Sequence, residues 1–141
     1  MQDMKRKYLL LAFLFLALCG IGIGLYLFNK PSPKASDIKP AFTLTATELA
    51  KAFESDGTQA GKLYAGKVLQ VSGKVSDVKK DDKGLLTLVI EGTPGSAVSG
   101  VLQDLPKEEV KKGDEVTIKG FCSGFDDLFG EVQLHSCGIV K

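Results

Sequence analysis

The chain reads as a mainly β protein: a five-stranded Greek-key barrel of the OB type, with a short helix before it and a single transmembrane helix ahead of both. Three observations predict this. Tyr8–Phe28 runs for twenty-one residues without a charge. From Lys67 onward, hydrophobic residues recur with a period of two in short runs separated by glycine, proline and charged turns, the pattern of small closed β architectures. Between the third and fourth runs, Leu105–Lys112 leaves room for one or two helical turns, as an OB-type barrel allows. An SH3-like barrel or open sandwich is the alternative, less comfortable with that insertion.

The apolar run sets the organisation. At about 1.5 Å per residue it makes roughly 31 Å of helix, the thickness of a bilayer's hydrocarbon core. A cleaved secretory signal has a shorter core, about 7–15 residues, with small residues at its exit, and here the run continues past Cys19 to Phe28. Lipidation at Cys19 is the runner-up: Leu18 stands where a small residue is expected before a lipidated cysteine. Lys5, Arg6 and Lys7 abut the span, whereas Lys30, Lys34 and Lys39 are spread along the far flank. The positive-inside rule therefore keeps residues 1–7 cytoplasmic, makes 8–28 an inner-membrane anchor and exports the rest. Gly20, Gly22 and Gly24 are tolerated in such a helix and are weak evidence for helix pairing.

Residues 29–40, NKPSPKASDIKP, read as a proline-stiffened stalk, and residues 41–141 as the domain. Thr45-Ala46-Thr47-Glu48 fits a capping box, and Leu49, Ala52 and Phe53 follow on one stripe. Gly57 ends or weakens this helix, and 59–64 adds a short turn. The expected strands are Val68–Val78, bent at Gly73, then Leu85–Glu91, Ala97–Gln103, Glu115–Phe125 and Glu131–Val140.

Composition excludes some functions. From Ala41 to Lys141 there are 12 lysines and 15 acidic residues, 12 − 15 = −3, and the chain's single arginine is Arg6. Nucleic-acid binders carry a basic stripe because phosphate contacts dominate affinity; this domain has none. Phe121, Phe125 and Phe129 are the candidate ligand platform. However, the second and third strands, where OB folds stack bases or sugars, contain no aromatic residue, so the three rings read first as core and hairpin packing.

Cys122 and Cys137 form an even pair outside the span, which in an exported domain reads as a disulfide. With a turn at Phe129-Gly130, Leu128 faces Glu131 and Cys122 falls opposite Cys137, close enough to bridge; two buried free thiols are the alternative. His135 beside two cysteines evokes zinc, but no fourth ligand is evident, so no metal or other cofactor is expected. Asp126-Asp127 and Glu108-Glu109 read as solvated charge. Ser123 and Ser136 lack a base beyond His135 and a strained turn to present them. No enzyme is expected.

A set of motifs in order resembles the tRNA_anti-like family of exported bacterial OB-fold proteins. They are Thr45-Ala46-Thr47-Glu48-Leu49, Ala52-Phe53-Glu54-Ser55-Asp56, Tyr64-Ala65-Gly66-Lys67-Val68 and Val71-Ser72-Gly73-Lys74-Val75. Lys112–Gly120, Cys122-Ser123-Gly124-Phe125 and Cys137 complete the set. The resemblance covers residues 43–141 and leaves out the anchor and stalk. It implies an OB fold at the cell envelope and carries no functional residue onto this chain. The expectation is a membrane-anchored, non-catalytic binding module for a protein or envelope component. The alternative is nucleic-acid binding, single-stranded or tRNA-like, through the same fold.

Overall fold

The computed structural model describes residues 2–30 and 33–140, and the chain divides into two compact units between residues 32 and 33. In the first unit, α1 (Gln2–Phe28) is a 27-residue helix with no buried residue. It begins ahead of the uncharged run and takes in Lys5–Lys7. Its apolar window has a mean hydropathy of 2.5, and among the described residues it is the one helix long and apolar enough to cross a membrane. An apolar helix near the N-terminus passes the test for a membrane anchor, and a signal sequence passes the same test.

The second unit is built from β1 (Phe42–Thr45), α2 (Ala46–Ser55), α3 (Gly57–Tyr64), β2 (Val68–Lys80), β3 (Leu86–Thr93), β4 (Ser96–Leu102), β5 (Glu115–Asp126) and β6 (Glu131–Val140). The strands follow the order β1-β2-β3-β4-β6-β5, and pairing of β2 with β5 closes the barrel. Strand β2 serves both neighbours because it bends. Val68–Lys74 pairs antiparallel with β5, and Val75–Lys80 pairs with β3 after a register shift between Val75 and Asp77. Gly73 pairs in regular register with Val116, two residues before that shift, and a Cβ there would lie 2.5 Å from Ile90 Cγ2 and 3.2 Å from Ala46 Cβ. A side chain there would push β3 and α2 off the strand.

Leu69, Val71, Leu88, Ile90, Val98, Ile118, Val132 and Leu134 fill the interior with α2. The capping box forms as the sequence predicts. The Glu48 amide donates to Thr45 Oγ1 at 3.2 Å, and the Thr45 amide donates to Glu48 Oε2 at 2.8 Å. The bonds from the Thr45 amide and hydroxyl hold the Glu48 carboxyl below its ordinary pKa. Behind this cap, Ala46, Leu49, Ala50 and Phe53 turn inward. Asp56 caps α3 by accepting from the Gln59 amide at 3.0 Å. Replacing Thr45 with alanine should cost about 1 kcal/mol in denaturant unfolding; an unchanged midpoint would show that the cap does not hold α2.

Four sequence expectations change. First, β1 is an added strand, paired parallel to β2 from Phe42↔Leu69 to Thr45↔Ser72. Its four residues, alternately half-buried and exposed, are too few for periodicity to reveal. Second, Leu105–Lys112 forms no helix. Leu105 precedes a proline, which disfavours helical backbone there, and Leu105 and Val110 are spaced five apart, off one helical face. The segment is instead tied to β2 by bonds from the Gly113 amide to the Val75 carbonyl and from the Val75 amide to the Asp114 carbonyl, both 2.8 Å. Third, part of the expected stalk belongs to the barrel unit. Ala35–Asp37 is a 3₁₀ turn with Ala35 fully buried, and Ser36 lies over Gly138, where a Cβ would approach it at 2.9 Å.

Fourth, the β5–β6 register differs. The turn spans Asp127–Gly130, Asp126 faces Glu131, and register shifts near Phe121 and Gly124 set Cys122 opposite Leu134 rather than Cys137. Ser136, with φ 51°, and Gly124, with φ 128°, take up the local strain. Cys122 and Cys137 are free, buried thiols in the structure, so the register argument for their bridge falls away.

Cys137 fills a niche made by glycines. A Cβ on Gly120 would collide with its Sγ and come within 3.2 Å of the His135 carbonyl, and one on Gly100 would sit 3.2 Å from the same Sγ. Replacing Gly120 with alanine should cost about 1–3 kcal/mol by overpacking. Adding Cys137→Ala should relieve the collision, so that the double variant loses less than the two single losses together. Strict additivity would mean that the niche is not what holds Gly120.

Candidate functional site

The predicted aromatic platform does not assemble. Bulges and alternation send the three rings to different places. Phe125 turns inward and stacks on Phe53 at 5.9 Å and 16°. Phe121 stacks on the exposed His135 at 5.6 Å and 19°. Phe129 stands in the β5–β6 turn, 71% exposed, beside Leu128 at 91%.

His135 is exposed on the outside of a strand whose Cys137 is buried, so the three sulfur and nitrogen donors do not converge. Among the described residues no cluster of histidine, cysteine or carboxylate groups could hold a metal ion. Burial raises the pKa of the Cys122 thiol, with an opposing bond from the Gly124 backbone, and pushes that of Cys137 up to about 12. At neutral pH both are protonated, and neither is a ready nucleophile or metal ligand. Asp126 has a local structural role. Its Oδ1 accepts from the Leu128 amide at 2.9 Å and its Oδ2 from Gln133 Nε2 at 3.0 Å, which fixes the turn carrying Phe129. Cys19 lies on α1, in the other unit.

Sequence reasoning missed the main concavity. A groove of about 1360 Å³ is bordered by the start of α2 at Thr47, β2 at Gly73, the 104–110 loop, the first residues of β5 and the last of β6. It shares Glu91 and Gly92 with a smaller recess of about 240 Å³, lined also by Ser76, Ser96, Phe129 and Glu131. The recess exists because two turns abut. Pro94-Gly95 joins β3 to β4, with Gly95 at φ 93°, the arrangement of a type II turn. Gly130 comes so close that a Cβ on it would lie 2.7 Å from the Gly95 carbonyl. The Ala97 amide donates to the Gly130 carbonyl at 3.0 Å. The glycines of both turns were visible in the sequence; their mutual contact depends on the barrel's closure.

The groove is acidic. Its lining includes Glu91, Asp104, Glu108, Glu109, Asp114 and Glu115 against Lys74 and Lys107. Some of that charge is met locally: Lys34 pairs with Asp104, and Lys111 lies 3.5 Å from Glu109. Glu131, which lines the recess, lies 3.9 Å from Lys79. The lysines of the β2–β3 turn, Lys80 and Lys83, are interleaved with Asp81 and Asp82, and Asp81 Oδ1 is occupied by the Lys83 and Leu85 amides. The concave surface therefore presents carboxylates and hydroxyls, with exposed apolar groups at one rim.

Comparison with known proteins agrees with this fold. The family model tRNA_anti-like matches residues 4–137. The match extends into α1, beyond the 43–141 span over which the motifs resemble that family. Among solved structures, the chain is similar to a crystal structure of a Klebsiella pneumoniae protein provisionally named a nucleic acid-binding lipoprotein. It shares 16% identity and a TM-score of 0.55, over 79% of this chain and 100% of that one. At that identity the likeness is one of fold. No curated protein matches the chain.

Proposed function

The chain belongs to the tRNA_anti-like family, and from that premise we propose that it is a non-catalytic OB-type module that docks a protein partner through its barrel loops. The partner presents a positively charged, extended segment to the groove. One observation carries this reading: carboxylates outnumber lysines along the lining of the groove. Opposite charge steers encounter and sets specificity, and the same field opposes a phosphate backbone. In this reading α1 anchors the chain in the inner membrane, residues 1–7 stay cytoplasmic and the barrel faces the exterior. Lipidation at Cys19 is the alternative anchor, and the name of the Klebsiella protein favours keeping it in view.

Nucleic-acid binding is the second functional reading, favoured by that same name. A direct comparison separates the two. The full chain in neutral-lipid nanodiscs is titrated with an oligolysine peptide and with a single-stranded oligothymidylate at low and moderate salt. The peptide should bind and weaken with salt. Tight, salt-sensitive oligonucleotide binding in its place would overturn the docking reading. A phosphatase fused after the barrel should be active in cells; an inactive fusion would put the domain in the cytoplasm and remove the assigned topology.

A further inference from the structure

We propose that Lys34 is a built-in competitor for the groove: the chain lays its own lysine on a groove carboxylate, and a basic partner must displace it to dock. This rests on the docking reading and deepens it, by adding a regulatory contact to the same site.

Asp104 belongs to the groove lining, and Lys34 reaches it from 70 positions away in the sequence, as a hydrogen bond and an ion pair. Glu109, by contrast, is met by Lys111 of its own loop at 3.5 Å, and Asp114 accepts from the Lys111 amide at 2.9 Å. Lys34 therefore comes to the groove from a separate segment, and that segment is held firmly. Its backbone is extended, with φ −75° and ψ 129°, and its carbonyl accepts from the Asp37 amide at 3.1 Å. Ala35, the next residue, is fully buried. Ser36 then lines the groove itself and lies over Gly138, where a Cβ would approach Ser36 Cβ at 2.9 Å. An extended lysine seated on a groove carboxylate is what the docking reading assigns to the partner, here supplied by the chain itself.

The hold is weak enough to yield. The two side chains are 48% and 64% exposed, and exposed ion pairs contribute little in water. Only the lysine side chain has to swing away, because buried Ala35 keeps the backbone in place. A partner whose cation takes over Asp104 binds about two- to fivefold more weakly than it would to an open carboxylate. The internal lysine is always present at the site, so single cations lose to it and segments with several cations displace it.

The test titrates fluorescein-labelled oligolysine, followed by anisotropy, against the full chain in phosphatidylcholine nanodiscs. Lys34→Ala should bind it about two- to fivefold more tightly than the native chain, and Lys34→Arg, which keeps the pair, should bind it no more tightly. Lys39→Ala removes the same charge from another exposed position of the segment and should tighten binding less than Lys34→Ala. Asp104→Asn should weaken binding more in the Lys34→Ala background, where the carboxylate is open, than in the native chain. All three positions are exposed, so thermal unfolding should stay unchanged. Equal tightening by Lys34→Ala and Lys39→Ala overturns the competitor and leaves the docking reading standing. So does an equal loss on Asp104→Asn in both backgrounds. Oligolysine that binds neither the native chain nor Lys34→Ala removes both.

Discussion

Replacing Phe53 with alanine is expected to remove about 3–5 kcal/mol of stability, a large share of the 5–15 kcal/mol by which an ordinary domain exceeds its unfolded state. The ring is 5% exposed. It lies 5.9 Å from Phe125 in a stacked arrangement and 6.2 Å from Tyr64, so one side chain joins α2 to β5 and α3. Alanine forfeits those contacts and leaves a void that three separate elements cannot all move to fill. Lys51→Ala, on the exposed face of the same helix, should change stability by no more than about 0.5 kcal/mol. Denaturant unfolding of both variants in detergent micelles checks the pair. A loss below about 1 kcal/mol for F53A would mean that α2 is not the plug of this barrel.

The second large effect is in alkali. Burial pushes the Cys137 thiol up to about 12, from an ordinary value of 9.0. Below pH 9 the folded and unfolded chains both keep the proton, and the group adds no pH dependence. Between pH 9 and about 12 the unfolded thiol ionises while the folded one does not, so the unfolded state binds fewer protons and is favoured. The expected loss is up to about 1.4 kcal/mol per pH unit across that window, and Cys122, also raised by burial, acts in the same direction. Lysines and tyrosines titrate in this range as well, so the informative quantity is the stability difference between the native chain and Cys137→Ala. At pH 8 the variant should be less stable, and by pH 11 its disadvantage should shrink or reverse. A difference that stays constant from pH 8 to 11 would contradict the buried, protonated thiol.

Most of the barrel was legible because its signals are local. Alternation placed each OB strand within about two residues, and the Thr45/Glu48 spacing marked the start of α2; the irregularity of β2 falls between Val75 and Asp77, just beyond the expected Gly73. What was not legible depends on pairing. The β5–β6 register turns on bulges at Gly124 and Ser136, and no residue pattern distinguishes Ser136 at positive φ from an ordinary strand serine. Hence two cysteines that a regular hairpin would align are offset. The same dependence hid the recess. Glu91 and Ser96 read as an unremarkable strand end and turn, and come to line one recess only where Gly130 abuts Gly95. Helix was expected both at Leu49–Phe53, where α2 forms, and as one or two turns at Leu105–Lys112, where the proline after Leu105 disfavours it and none forms.

Strand β2 cannot finish its ladder with what is made next after it. Val68–Lys74 waits for Glu115–Phe121, so ring closure joins parts of the chain some fifty positions apart, with two hairpin strands and a long loop in between. Contacts of that span make for slow collapse to the final state, on the order of milliseconds to seconds, during which the rim of β2 stays open to strangers. A polypeptide with this wiring has reason to be shielded during its assembly, because the short parallel β1 covers only the other rim of Leu69–Ser72 and leaves the border that β5 will take open.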